Sequence, residues 1–469
     1  MTSDVLGDLD AVAIADLIRT KMITPLEAVD SAIARAEAVN GALNAIVTPL
    51  FDQAREQARA GHPQGALAGV PTFIKDLFDI EGVRTAHGSR AYAGNIAAST
   101  SPHVAAALRA GLAPIGKSST PEFGFTATTE PLFGGATRNP WNPEHSSGGS
   151  SGGAAALVAA GVVPLAHATD GGGSIRIPAA CCGLFGLKPS RFRAIGDRDV
   201  DDPAPVSVNG VVAWTVRDAA AWLAATERTG VDAILPPMGF VTRSLEKPLR
   251  IGLVANSFTS GQPPHPDVSA VVEAAAALCA SLGHAVTPYA PKLDGPAFAR
   301  AFGINWARKA ALVADQVARE RPGERLEDLL EPLTLFYAER FRAAPAAAYP
   351  DAVAGLKKVE ADYAALFDDI DVLLTPVLGL PPVKLGEIGP LRPLQETGEV
   401  IARYVGYTSL MNAAGAPAIS VPLGMSADGL PIGVHFAAAK GQDALLLELA
   451  YQLEEAAPWR SRRPAIWAG

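Results

Sequence analysis

The chain has 469 residues, 49% of them hydrophobic and 19% charged, with a formal net charge of −9. Its 45 glycines and 38 prolines make up nearly a fifth of it, against roughly 12% in ordinary domains, which excludes coiled coils and long helical rods, while the apolar content excludes disorder. The negative balance and the absence of any Lys/Arg-rich run argue against a nucleic-acid partner.

Met1 to Asp16 carries four aspartates and neither a basic region nor a long apolar run, so it reads as neither a signal peptide nor a membrane anchor. No uninterrupted apolar stretch of about 18 residues reads as a membrane span. The three cysteines, Cys181, Cys182 and Cys279, have neither disulfide-framework nor metal spacing, and a reducing cytoplasm is their natural compartment. The vicinal pair reads as two small buried residues.

The first 60 residues read as helices. Thr24-Pro25-Leu26-Glu27 combines a capping Thr, a first-turn Pro and a Glu three residues on, and Asn40-Gly41 is the expected stop. Asn44 to Thr48 reads as a short strand. From about Ala68, short apolar runs are broken by Gly and Pro: Val70–Ile74, Ala113–Ile115, Val162–Ala166 and Ala418–Pro422. Helical patterns lie between them, at His103–Arg109 and Ala154–Ala160. Strands alternating with helices predict an α/β body around a largely buried sheet. Residues 265–370 read mainly as amphipathic helices, including Val268–Leu282 and Pro350–Phe367, and Asp371–Pro376 as a central strand. Ala194–Pro205 and Pro376–Pro393 read as surface loops. The expectation is one continuous body over 1–469, with a helical N-terminal segment (1–60), a core at 69–190 and a helical insertion at 265–370. Length alone would suggest about three domains.

Two short motifs compete for attention. Gly111-Leu-Ala-Pro-Ile-Gly116-Lys117-Ser118 matches GxxxxGK[ST] letter for letter. A phosphate loop must follow a strand and open a helix with free N–H groups. Here a helical pattern precedes Gly111 and Pro114 removes one donor, so a helix cap and a strand explain the same letters. GxSxG occurs twice in overlap across Gly148–Gly153, but no strand precedes it as a nucleophile elbow requires. The base in that scheme would be His265, His284 or His435, each in an ordinary setting.

The third pattern is a constellation. Lys75 lies in Gly69-Val-Pro-Thr-Phe-Ile-Lys75-Asp76-Leu-Phe-Asp79 among apolar neighbours. Ser146-Ser-Gly-Gly-Ser150-Ser151-Gly-Gly153 and Ala168-Thr169-Asp170-Gly171-Gly172-Gly173-Ser174-Ile175-Arg176 follow. One helix and one strand separate Ser150 from Ser174, a unit that can return both serines to one end of a sheet. Flexible-linker behaviour does not fit runs embedded in apolar sequence.

On these residues the chain resembles the amidase signature family of hydrolases. The match covers Gly69–Asp79, Gly116–Asn142 and, most strongly, Ser147–Pro189, and resumes at Asp371–Pro376, Asn412–Pro422 and Asp428–Gly433. Departures are small: Ala168-Thr-Asp-Gly171 stands where Gly-Thr-Asp-Thr is frequent, and Ser190 follows Lys188-Pro189 where Thr is common. The resemblance implies a mixed central sheet covered by helices as one α/β/α body. It implies Ser174 as nucleophile, Ser150 as relay after a cis Gly149–Ser150 bond, and Lys75 as base. Gly171, Gly172 and Gly173 would form the oxyanion hole. Asp170 and Arg176 would be a supporting ion pair, with Thr169 and Ser151 also in support. A helix beginning near Ser174 would add its dipole.

A Lys can act as a base near neutrality only if desolvation lowers its pKa from about 10.4, and Phe73, Ile74, Leu77 and Phe78 are suitable neighbours. The chemistry implied is acyl transfer to Ser174 followed by hydrolysis, with no metal or organic cofactor. Thr128–Pro131, Gly135–Asn142 and the C-terminal segments resemble the branch of 6-aminohexanoate cyclic-dimer hydrolases. That implies a small-molecule amidase of loose specificity reaching anilides, esters or carbamates, and at family level a homodimer. The alternatives are the amidase subunit of a tRNA-dependent amidotransferase, disfavoured because Ile177 replaces a frequent Gln, and a GxSxG esterase. His167 is expected as a packed core residue.

Overall fold

The computed structural model describes residues 4–61, 65–197 and 202–469. Thr24 starts its helix as the local chemistry requires: its N–H donates to Glu27 Oε2 at 2.7 Å and its Oγ1 accepts the Glu27 N–H at 3.2 Å. The helix, Pro25–Leu43, runs past the expected stop to Asn44, whose φ of 52° closes it. Asn40 instead turns its side chain to the following strand, accepting the N–H groups of Ala45 and Ile46 at 2.9 and 3.0 Å.

Among the described residues eleven strands follow in chain order: β1 (Ile46–Pro49), β2 (Pro71–Lys75), β3 (Ala113–Ser118), β4 (Leu165–Asp170), β5 (Phe185–Lys188), β6 (Val208–Ala213), β7 (Arg250–Leu253), β8 (Ala285–Pro288), β9 (Val372–Pro376), β10 (Ala418–Met425) and β11 (Pro431–Ala437). The first three form a small sheet in the order β1-β3-β2, with β2 parallel to β3. The other eight form a mixed sheet in the order β4-β6-β5-β10-β11-β9-β7-β8. Its β4-to-β9 part is antiparallel, and β9, β7 and β8 run parallel. Helices cover it, giving the α/β architecture expected. Thr72 Oγ1 donates to the Leu165 carbonyl at 3.1 Å, fastening β2 to β4 and so fixing Lys75 beside the end of β4.

Strands β5 and β11, and also β6, β7 and β8, add to those the apolar runs mark. Asn209 and Gly210 interrupt β6, while β7 and β8 are four residues each and β8 is largely exposed, so none of these three carries a strong periodic signal. The 265–370 segment holds helices Pro266–Ser281, Gly295–Glu320, Pro332–Arg342 and Ala348–Ala365, but also β8.

The helix Gly152–Ala159 is buried at every position, as an all-apolar helix must be. Its Gly and Ala residues permit close approach to its neighbours, and burying Leu157 and Val158 fully contributes about 1.5–3 kcal/mol each.

The phosphate-loop letters resolve as the helix Pro102–Arg109, a turn with Gly111 at φ 92°, and β3, which ends with Gly116, Lys117 and Ser118, all buried. Two loop expectations need correction. Pro376–Pro393 is irregular after β9, yet Val377, Leu378, Val383 and Ile388 are buried, and the Val383 carbonyl accepts the Ser146 N–H at 2.9 Å. In Ala194–Pro205, Ala194, Asp197 and Ala204 are buried, while 198–201 lie outside the described residues. Both segments carry apolar side chains that only a packed path can hide.

Candidate active site

Strand β2 delivers Lys75 to a fully buried position. Its Nζ lies 2.7 Å from Ser150 Oγ, 2.8 Å from Ser151 Oγ and 3.0 Å from Thr169 Oγ1. Burial pushes the Lys75 ammonium well below the ordinary lysine range, and Asp170 offsets only part of this. Ser151 Oγ donates its own proton to the Thr169 carbonyl at 3.3 Å, so toward Lys75 it is an acceptor. Ser150 Oγ accepts from Lys75 Nζ and has no other partner among the described residues.

Ser150 follows a cis Gly149–Ser150 peptide bond. Gly149 is required there: a Cβ would sit 2.6 Å from the Thr128 carbonyl oxygen. After helix Gly152–Ala159 and β4, the chain reaches Asp170–Ser174. Ser174 is 8% exposed and lines the same cavity as Gly149 and Gly172, so both serine loops open on one space.

The loop between Asp170 and Ser174 is built around a buried carboxylate. Arg176 Nε and Nη2 donate to Asp170 Oδ2 and Oδ1 at 2.9 and 2.8 Å, a bidentate pair with both side chains fully buried. Burial opposes the Asp170 charge, yet Arg176 holds its carboxyl below the usual range. Asn412, a residue to which the sequence assigned no role, donates to Asp170 Oδ1 and to the Asp170 and Val206 carbonyls, and accepts from Arg176.

The same carboxylate corrects two expectations. Gly173, at φ 137°, donates its N–H to Asp170 Oδ1 at 2.7 Å, so it is not free to hold an oxyanion. The helix begins at Arg176, and the Ile175 and Arg176 amides also point at Asp170. The N–H groups of Gly171, Gly172 and Ser174 have no protein acceptor among the described residues. Shaping a tight loop around one buried anion uses the amides nearest to it and leaves the earlier ones facing the cavity.

Lys117, the lysine of the phosphate-loop look-alike, pairs with Asp76 at 3.0 Å and donates to Thr85 Oγ1 at 2.8 Å, both charged side chains being buried. Burial raises Asp76 and lowers Lys117, each opposed by the other's charge. The carboxylate next to Lys75 in sequence is thus committed elsewhere. Apart from Asp76 following Lys75, nothing in the sequence pointed to this pair.

The histidines that a GxSxG esterase would need are occupied. His435 Nε2 lies 3.0 Å from Arg176 Nη1, and its Nδ1 lies 3.0 Å from Thr375 Oγ1, whose proton goes to the Pro376 carbonyl. His435 is therefore neutral, protonated at Nδ1 and accepting at Nε2. Burial and then Arg176 push its pKa well below the usual value. His284 accepts the Leu249 N–H and bonds Gln452, and His265 caps the helix Pro266–Ser281. His167 is buried and stacked on Trp222 at 6.1 Å. Cys181 and Cys182 are buried free thiols, and burial pushes Cys181 up to about 12. Among the described residues no cluster of three or more His, Cys, Asp or Glu side chains could hold a metal ion, and no helix is long and apolar enough to cross a membrane.

The cavity beside Ser174 measures about 370 Å³. Phe302 and Trp306, stacked at 5.7 Å, form one wall, and Phe125 meets Trp306 edge-on at 5.8 Å. Helices Gly295–Glu320 and Pro332–Arg342, both from the 265–370 segment, contribute to it.

The family model described as Amidase matches residues 27–447. The chain belongs to the amidase family. The amidase-family protein AmiC of Mycobacterium tuberculosis (strain ATCC 25618 / H37Rv) is 42% identical over 459 residues, covering 97% of this chain and 96% of that one. The structure of 6-aminohexanoate cyclic dimer hydrolase complexed with substrate superposes with a TM-score of 0.91 at 32% identity, covering 98% and 99% of the two chains. A bacterial aryl acylamidase of the amidase signature family gives a TM-score of 0.87 at 31% identity, with 96% of each chain covered. This amidase is accordingly a hydrolase of carboxylic amide C–N bonds in small molecules.

Proposed function

We infer that this amidase cleaves amides through an acyl-enzyme on Ser174, with Ser150 as proton relay and Lys75 as base. The observation that carries this reading is the buried Lys75 Nζ at 2.7 Å from Ser150 Oγ. Ser174 Oγ attacks the amide carbon as its proton moves to Ser150 Oγ and the Ser150 proton moves to Lys75 Nζ. The tetrahedral oxygen rests against the free amides of Gly171, Gly172 and Ser174. Return of the proton through Ser150 to the nitrogen expels the amine. Water then enters by the same relay, releasing the acid and restoring Ser174. Asp170, Arg176 and Thr169 hold the loop and Lys75 in place.

The cavity's aromatic wall favours an apolar acyl or amine group, and the mechanism extends to anilides, esters and carbamates, whose carbonyl chemistry is the same. The 265–370 helices set specificity as part of one domain spanning 1–469. Ile177 lines the cavity, which counts against glutamine as substrate and so against the amidotransferase subunit. Three buried free thiols suit a reducing cytoplasm.

The test is Ser174→Ala and Lys75→Ala on a panel of anilides, short amides, esters and carbamates, with mass spectrometry for an acyl adduct. Loss of turnover in both variants, and an adduct mapped to Ser174 in the wild type, are expected. Wild-type turnover by Ser174→Ala on every substrate overturns the mechanism.

A further inference from the structure

Arg340 is the one charged side chain among the described residues lining the cavity next to Ser174. Surface arginines of this chain are commonly paired: Arg321 with Glu324, Arg342 with Asp315 and Arg392 with Glu396. Arg340 makes no ion pair and no hydrogen bond among the described residues, although Arg342, two positions on, has both. Its guanidinium lies over the backbone of Gly303, where a Cβ would be 3.9 Å from Nη2. The neighbouring Phe302 ring reaches Gly172, 3.4 Å from a Cβ built there. The aromatic wall therefore runs from the Ser174 loop to the guanidinium. Tyr337 stands three residues earlier on the same helix, hence on the same face. It too lines the cavity, and its hydroxyl has no hydrogen bond among the described residues.

An unpaired guanidinium with a neighbouring hydroxyl, at the far side of an apolar slot, is a receptor for one planar anion. The guanidinium fork matches a carboxylate in two parallel hydrogen bonds. A phosphate would call for more positive charge than the single cation present. We propose that Arg340 is the specificity-determining residue of this amidase, holding a carboxylate at the end of the substrate remote from the scissile bond. The substrate class is an amide whose aryl or alkyl body lies along Phe302 and Trp306 and ends in a carboxylate. This rests on the amide-hydrolase reading above and adds what that reading leaves open.

The experiment uses matched pairs on the full-length enzyme: adipoyl against hexanoyl 4-nitroanilide for a carboxylate on the acyl side, and 4-acetamidophenylacetate against its methyl ester for one on the amine side, scored at the amide. The quantity read is the ratio of kcat/KM within each pair. At low salt the wild type is expected to favour the carboxylate in at least one pair by about tenfold. Arg340→Gln should erase that ratio through KM, and Arg340→Lys should restore part of it. A ratio unchanged in Arg340→Gln, or a wild type that favours the neutral member of both pairs, overturns the proposal. Should the variants fold poorly, the wild-type ratios and their decline with salt decide alone. If the wild type hydrolyses no amide at all, the function reading fails separately. Calorimetric binding of 4-phenylbutyrate, salt-sensitive and weakened in Arg340→Gln, then supports the carboxylate site, and no binding to the wild type overturns it.

Discussion

Asp170 accepts the Gly173 N–H on its Oδ1 at 2.7 Å while Arg176 Nη2 grips the same oxygen at 2.8 Å. One buried ion pair thereby sets the shape of the glycine loop, and the third glycine serves that shape instead of the reaction. The loop that leads to Ser174 takes its geometry from a charge held inside the protein.

Replacing that charge tests the dependence. Asp170→Asn leaves Arg176 buried without its counter-charge, a change that costs about 3–5 kcal/mol, and should also lower kcat. The folded-state pKa of Asp170 is depressed, so its stabilisation is present above the unfolded value of about 3.9 and is lost as pH falls below it toward the folded pKa. Urea unfolding at pH 7 and across pH 5 to 3 should show the variant less stable at neutrality and less acid-sensitive than the wild type. Equal stability of the two at pH 7 would refute this.

Lys75 makes a prediction of the opposite sign. Its depressed folded-state pKa means the unfolded chain binds the extra proton between that value and about 10.4, so its burial penalises folding increasingly as pH falls through this window. Lys75→Met should therefore gain stability relative to wild type on going from pH 10 to pH 7, while losing activity by on the order of 10²–10⁴. In the wild type, the acidic limb of kcat/KM should lie well below the ordinary lysine range. A limb at or above pH 10 would contradict the lowering of the Lys75 pKa by burial.

His284→Gln separates the lysine mechanism from an esterase. His284 is bonded to the Leu249 amide and Gln452, far in role from any nucleophile, so steady-state kinetics should stay within about threefold of wild type, with a lower melting temperature at most. Loss of turnover in a fully folded His284→Gln protein would revive the histidine base.

Gly149→Ala addresses the relay. The added Cβ would lie 2.6 Å from the Thr128 oxygen and 2.7 Å from its nitrogen, both backbone atoms that cannot rotate away. Overpacking of this kind costs about 1–3 kcal/mol, and any relief displaces Ser150 from Lys75. Thermal denaturation should show the loss of stability and kinetics a fall in kcat. A variant with wild-type stability and turnover would contradict the contact.

The helix start at Thr24, the strand carrying Lys75 and the two serine loops were legible in the chain because each rests on local chemistry: a cap, an apolar run, glycines embedded in buried sequence. The false phosphate loop was legible as false for the same reason, since Pro114 and a preceding helix contradict it. Strands β7 and β8 were not legible, because four-residue segments borrow their stability from neighbours far away in sequence. Asn412 at Asp170, Lys117 at Asp76 and His435 at Arg176 were equally hidden, being pairings between residues 242, 41 and 259 positions apart.

By itself, the sequence determined which groups could do the chemistry, since a lysine among apolar residues and serines among glycines declare their properties locally. Tertiary structure decided their electrical state and their freedom. Burial lowers the Lys75 pKa, the Asp170–Arg176 pair takes the Gly173 amide away from the cavity, and Arg340 stands beside Gly303 with no ion pair among the described residues. Those outcomes depend on desolvation and on which charges meet, and both are properties of the packed chain.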